Sequence, residues 1–306
     1  MRGFRRLIVL VMTVAATAPS TGHAELVAER ITAESFERLR VGGPDADAGV
    51  GDWALSNGTI CAVISDPAHE SALTPAGGVL IDLGHCGREN DQWAVLQPML
   101  NLSQSALIEV SEIEPGRGPD SAWLRTRALF AGVAIETTYT LRSDRPEALD
   151  IGLRARREQD GDRLFSIGLT LLHPSGQTPV FSLQRSAPER SSGFIHPTID
   201  YRSLWSMLNA LTASDLAVLV GGEGLAPVSY GLERLSSRVR ENGTTAGLAS
   251  FSVTGGHFTF MNAMSRPLWL GTADEAPGIS EIRSCACVPL SASAAAWTRA
   301  GDSSPR

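Results

Sequence analysis

From Ala106 onward, apolar residues recur in short runs of strand length: Leu107–Ile113, Ala122–Phe130, Val133–Leu141, Leu149–Arg157 and Leu164–Leu172. In Trp123–Phe130 and Ile135–Leu141 the polar and apolar positions partly alternate, as strands with one buried face require. Ile151, Leu153 and Ala155 interleave with Arg154 and Arg156 in the same way. Further runs at Leu216–Val220, Leu232–Val239, Leu248–Val253, Phe258–Met261 and Ile282–Val288 continue the series. Clusters such as Pro115-Gly116-Arg117-Gly118 and Asp160-Gly161-Asp162 read as the turns between them.

Two helices interrupt the pattern. Thr32 is placed to cap a short one over Ile31–Arg40, with Phe36 and Leu39 on one face and Ile31 stapled onto Phe36. Tyr201–Leu211 carries Leu204, Met207, Leu208 and Leu211 at helical spacing. Asn57-Gly58 between Asp52–Ser56 and Thr59–Ser65 is the signature of a two-residue type I′ hairpin, and Val79–Leu83 follows as another short strand. Strands alternating with long helices are absent. The expected fold is all-β, one large antiparallel β-sandwich over residues 25–290 with one or two short helices.

The ends of the chain read differently. Three arginines in Met1–Arg6, the apolar run Leu7–Ala16 and the small residues before Ala24 resemble a cleavable signal peptide over 1–24. The apolar run falls short of the ~20 residues that span a bilayer, so no stable membrane span is expected after cleavage. The mature protein is then secreted or periplasmic and of bacterial type. Ser291–Arg306 loses the alternation and reads as a disordered tail.

Composition narrows the chemistry. The chain has 306 residues, 43% of them hydrophobic, with a formal charge of −7 that removal of the leader makes more negative. Every one of its 26 basic residues is Arg, which excludes lysine-based Schiff-base, P-loop and S-x-x-K chemistry. An acidic chain is a poor ligand for polyphosphate, so no nucleic-acid partner is expected. G-x-S-x-G, H-E-x-x-H and H-x-H are absent, and nothing implies a cofactor.

Export makes Cys61, Cys86, Cys285 and Cys287 disulfide candidates, with three connectivities open. Cys285 and Cys287 share a face of one strand, and bonding along it would be strained, so each is expected to pair with a distant cysteine. Free buried thiols are the bland alternative, and a zinc site using all four, without the usual paired knuckles, the sharper one.

The densest polar segment holds Asp66, His69, Glu70, Asp82, His85 and Arg88 on loops flanking Val79–Leu83. Imidazole and carboxylate side chains could bind a metal or act as acid and base, and Arg88 could hold an anion. The competing reading is that polar residues gather where loops meet water. Asp45-Ala46-Asp47-Ala48-Gly49 begins like a calcium loop but lacks its third ligand and closing Glu, and an Asx-type turn explains it better. The Arg125/Arg127 and Arg154/Arg156/Arg157 sets read either as a stripe for an anionic sugar or as the solvated face of a sheet.

The stretch Gly51-Asp52-Trp53-Ala54-Leu55-Ser56-Asn57 through Asp66, with Gly77-Gly78-Val79-Leu80-Ile81-Asp82, resembles a known pattern. It opens the N-terminal β region of exported bacterial proteins related to carbaryl-hydrolase-type PHP metallohydrolases. The resemblance implies a β-sandwich that precedes a metal-binding PHP domain. The His-x-His motif of such a domain is absent from this chain, so the metallohydrolase activity is not carried over. The functional expectation is an exported, non-catalytic binding or accessory domain for a carbohydrate or protein partner. The alternative is a carbohydrate-active or metal-dependent hydrolase with its site on the sandwich face.

Overall fold

The computed structural model describes residues 25–69, 74, 76–100, 108–158, 164–165, 167–174, 180–183, 216–220, 228–239, 248–252, 258–264, 268–269 and 279–287. Two eight-stranded antiparallel sheets pack face to face, which is the sandwich the alternation predicts. The first sheet runs β1 (Val27–Arg30), β2 (Trp53–Ser56), β3 (Ile60–Ile64), β4 (Leu80–His85), β5 (Val95–Leu100), β11 (Ile167–Pro174), β16 (Phe258–Met264), β15 (Leu248–Ser252). The second runs β12 (Val180–Leu183), β13 (Leu216–Val220), β14 (Ser229–Val239), β18 (Ile279–Cys287), β9 (Ala148–Arg157), β8 (Val133–Arg142), β7 (Ser121–Phe130), β6 (Val110–Arg117). A pair of two-residue strands, β10 (Leu164–Phe165) and β17 (Leu268–Trp269), stands apart from both.

The strict alternation is clearest in β7 and β8, where every second residue is buried. Leu124, Ile135, Tyr139, Leu149, Ile151 and Leu153 from the second sheet meet Leu55, Ile60, Ile64, Leu80, Leu83 and Leu96 from the first. The intervening outward positions of the second sheet carry the charges. Register sets Glu112 opposite Arg127, Glu114 opposite Arg125 and Glu136 opposite Arg127. Arg127 reaches Glu112 at 3.0 Å and Glu114 at 2.7 Å, and Arg125 reaches Glu136 at 3.7 Å. The arginines at 125 and 127 are therefore neutralised across strands, and the solvated-face reading accounts for them.

A second apolar layer lies on the other side of the first sheet. Val27, Ile31, Leu39, Val41, Val63, Val79 and Ile81 form it, with Phe36 packed against them. The expected helix is one short turn, α1 (Phe36–Leu39). Its N-cap is Ser35 instead of Thr32, with no side-chain cap bond, and Thr32 closes the preceding turn, Ser35 N–H donating to Thr32 Oγ1 at 3.2 Å and Thr32 N–H to Ser35 Oγ at 2.9 Å. Ile31 and Phe36 share this layer, but with Ser35 as the cap they do not hold the positions of a hydrophobic staple. The helix expected at Tyr201–Leu211, the leader, the tail and the turn at Asp160–Asp162 lie outside the described residues.

Several boundaries differ from expectation. Pro115, Gly116 and Arg117 belong to β6, and the turn falls at 118–120. The first hairpin turns one residue later than the Asn57-Gly58 signature implies, because Ser56 pairs with Cys61 and Asn57 N–H donates to Ile60 O. Within this turn Gly58 has positive φ, +80°. Asn57 is buried, its Oδ1 accepting from Thr59 and Ile60 N–H and its Nδ2 donating to the carbonyls of Arg142 at the end of β8 and of Pro146 in the loop to β9. It ties the hairpin to the opposite sheet instead of turning the chain.

Cys61 and Cys86 form a disulfide with Cα atoms 5.0 Å apart, bracing β3 against the end of β4. This overturns both the distant pairing of Cys285 and Cys287 with these two and the four-thiolate zinc site. Cys285 and Cys287 lie on β18, opposite Asp150 and Ala148 of β9.

Candidate functional site

The site forms where three loops cross the outer side of the first sheet: 43–52 before β2, 65–69 after β3, and 86–93 after β4. A β-bulge sets it up. Val63 pairs with Asp82 and Ile64 with Leu80, leaving Ile81 as the extra residue. Leu80 and Leu83 thus face the sandwich core while Ile81 joins the outer layer. Asp82, paired with the outward-facing Val63, emerges beneath the 43–52 loop.

Asp82 is fully buried, and its two oxygens accept the N–H groups of Asp47 at 2.8 Å and Ala48 at 3.0 Å. Burial pushes its pKa up to about 7, against the pull of those two amides, and the nearby Asp47 and Asp52 raise it further. Asp91 is buried too, its Oδ1 accepting from Leu83 N–H at 2.9 Å and Trp93 N–H at 3.2 Å. Its Oδ2 has no hydrogen-bond partner among the described residues. Burial, with Asp82 next in effect, holds Asp91 well above the usual carboxylate range. Tyr230, reaching across from β14, donates its hydroxyl to Leu83 O and accepts from Gln92 N–H, both at 2.9 Å. These groups pin the loops to the sheet. The 43–52 loop offers amides to carboxylates, the reverse of a calcium loop, and no cluster of three metal-ligating side chains occurs among the described residues.

Above this anchored layer stands Asp52, 1% exposed. Its Oδ2 accepts Gly49 N–H and its Oδ1 accepts Asp66 N–H, each at 2.7 Å. His69 Nδ1 lies 2.9 Å from both oxygens. Asp52 presents only acceptors to the ring, so Nδ1 is the nitrogen that donates. The other nitrogen, Nε2, lies 3.9 Å from Asp47 Oδ2. Gly77 makes the crossing possible, since a Cβ there would stand 1.7 Å from Asp66 O. At the rim, Arg30 donates through Nε to Gly51 O at 2.9 Å and through Nη2 to Asp66 Oδ2 at 3.0 Å. Its guanidinium lies 6.0 Å from the centroid of the Trp53 ring.

Of the six residues expected to converge, Asp66 and His69 meet on Asp52, and Asp82 joins them through the backbone of Asp47 and Ala48. His85 does not join. The regular register from Asp82 to His85 puts it on the opposite face of β4. There it is buried and bracketed by Asn90, whose Nδ2 donates to Nδ1 at 2.8 Å and whose Oδ1 accepts the His85 N–H. Arg88 is exposed on the turn beyond it, its N–H donating to His85 O. Glu70 lies outside the described residues.

Sequence reasoning did not place Arg30, Asp52 and Asp91 at the site, and it read Asp47 as part of an Asx-type turn. Asp52 was legible in principle, as an acidic residue at the head of an apolar strand and beside Gly51. Asp91 carries no such signal, because its role depends on a contact with β4 that spacing does not encode.

No family model matches the chain, and no curated protein matches it. Among solved structures it is similar to a galactose mutarotase-like protein from Lactobacillus casei ATCC 334, with a TM-score of 0.44, 9% identity, and 78% of this chain and 100% of that one covered. It is similar to a heparan sulfate lyase HepC mutant from Pedobacter heparinus, with a TM-score of 0.44 and 10% identity. That match covers 78% of this chain and spans 35% of the lyase. A TPR-domain containing protein from Parabacteroides distasonis ATCC 8503 has a TM-score of 0.41 and 12% identity over 87% of this chain and 54% of that one. Among the described residues, no helix is long and apolar enough to cross a membrane.

Proposed function

We propose that this chain is an exported β-sandwich domain that binds neutral carbohydrate at the rim formed by Arg30, Asp47, Trp53, Asp66 and His69. The observation that carries the reading is the division of labour in the cluster. The carboxylates of Asp52, Asp82 and Asp91 are occupied by backbone amides, while Asp47, His69 and Arg30 above them keep partly exposed polar groups. A fixed set of acceptors, a ring nitrogen and a guanidinium beside an indole suits vicinal hydroxyls, which both donate and accept. The excess of carboxylates favours neutral over acidic sugars. The Cys61–Cys86 disulfide supports an oxidising compartment, in keeping with the leader-like N-terminus. The resemblance of Gly51–Asp82 to exported two-domain proteins supports an accessory role beside a further domain.

A hydrolytic role is the second reading, favoured by the Asp52–His69 hydrogen bond, which orients an imidazole as general bases require. An array of neutral oligosaccharides, followed by calorimetry on the best ligand and by assay of its hydrolysis, tests both. Saturable binding without turnover supports the binding domain. Turnover lost in His69→Gln supports the hydrolase. Neither binding nor turnover across the array contradicts the carbohydrate reading.

A further inference from the structure

The 43–52 loop has little apolar hold on the sheet beneath it. Pro44, Ala46 and Val50 are exposed, Val50 by 63%, and Ala48 is the apolar residue of the loop that packs on the outer layer. Backbone contacts tie its ends. Asp91 N–H donates to Gly42 O at 3.0 Å, Asp45 N–H to Asp91 O at 3.3 Å, and Gly51 N–H to Ile31 O at 2.9 Å. Its middle is fastened to ionisable side chains instead. Asp82 takes the N–H groups of Asp47 and Ala48, and Asp52 Oδ2 takes that of Gly49. His69 Nε2 lies 3.9 Å from Asp47 Oδ2, an ion pair when the ring is protonated. Segments with few buried apolar contacts open locally at low cost. Here the opening is linked to protons.

We infer that the 43–52 loop is a proton-operated strap, fastened over β4 in acid and released as the pH rises to neutrality and beyond. Closed, the loop buries the Asp82 carboxylate; opening returns that carboxylate to water. The ionised form is the better acceptor for the two amides, but the cost of burying it is larger and lifts Asp82 to about 7. The closed form therefore keeps a proton on Asp82 that the open form gives up as the pH rises. The charges around these groups act in the same direction. Asp47 and Asp52 add repulsion to an ionised Asp82. Asp91, from the 86–93 loop, is raised first by its own burial and then by Asp82 and by Asp45 of the strap. His69, from the 65–69 loop, pairs with Asp47 only while protonated. Arg30 on β1 is committed to Asp66, and Arg40 to Glu37 and Glu89, so neither neutralises the buried carboxylates. Tyr230 of β14 stays a neutral phenol, donating to Leu83 O. The inference concerns the loop itself and does not need the carbohydrate reading.

Amide hydrogen exchange of the whole oxidised chain, read residue by residue by NMR without ligand, tests it. Protection of the Asp47, Ala48 and Gly49 amides is taken against the unstructured-chain rate at each pH. It is expected to fall about tenfold or more from pH 5 to pH 8. These amides should exchange through a local opening, so low urea leaves their protection unchanged while lowering that of the central-strand amides of β8. His69→Gln and Asp47→Asn, at partly exposed positions, leave the Asp47 N–H in place. Each should lower protection at pH 5 about two- to fivefold. Constant protection at 47–49 between pH 5 and 8 overturns the strap, and so does protection equal to that of β8 and equally sensitive to urea. Unchanged protection at pH 5 in both variants overturns the part given to His69. Because no sugar is present, a strap that fails leaves the carbohydrate reading untouched. A strap that opens on a chain binding no oligosaccharide removes that reading alone.

Discussion

At the scale of single residues, Asp82 and Asp91 look alike in sequence but differ in what surrounds them. Both oxygens of Asp82 are engaged by amides, whereas Asp91 uses Oδ1 alone among the described residues. An amide at 82 would turn an NH2 toward a backbone N–H, so Asp82→Asn should cost about 1–3 kcal/mol. An amide at 91 keeps the bonded oxygen and removes a buried acid, so Asp91→Asn should change stability by less than about 1 kcal/mol. Both folded pKa values are raised, so between roughly pH 4 and the folded value the native state binds more protons than the unfolded chain. Their contribution is therefore fully present below that window and is lost as pH rises through about 7 for Asp82. Denaturant unfolding from pH 4 to 8 should show this decline, shallower in Asp91→Asn. Asp66, His69 and Asp82 were legible as a polar concentration around one strand. His85 was not separable from them, since its exclusion depends on the regular pleat after the Ile81 bulge.

At the scale of elements, periodicity placed strands well wherever one face is buried and the other wet. β7, β8 and β9 lie within a residue or so of where alternation puts them. β1 and β5 were missed, the first too short and the second carrying Gln97 and Pro98 in an otherwise apolar run. Turn chemistry misled at Asn57, because a residue that suits positive φ also suits a buried side-chain cap. The β7–β8 hairpin has the opposite character. Its loop is Ala131-Gly132, and Ala131 sits at φ +50°, where a Cβ is strained. Replacing it with Asn, the residue this turn prefers, should stabilise the protein by about 0.5–1 kcal/mol in urea unfolding. A loss of stability would show that the Ala131 backbone is not held in that region.

At the scale of the whole molecule, one disulfide clamps the hairpin that carries Asp82 and leads into the loop of Asp91. Closing a loop between residues 25 apart, it should contribute about 3 kcal/mol through the unfolded chain. Cys285 and Cys287 sit two apart on an extended strand, where bonding is strained, so unreduced, denatured protein should present two reactive thiols. Four would contradict the Cys61–Cys86 bond. The sandwich class was legible because alternation is a property of each strand alone. The order of strands in each sheet, and hence the loops that meet over β4, was not. In the proposed function, the buried carboxylates hold the loops while the exposed rim meets the ligand. Oligosaccharide affinity and thermal midpoint, measured side by side for Asp47→Ala and Asp82→Ala, test it most directly. Asp47→Ala is expected to lose affinity at an unchanged midpoint, and Asp82→Ala to lower the midpoint. Full affinity in Asp47→Ala, or an unchanged midpoint in Asp82→Ala, would contradict it.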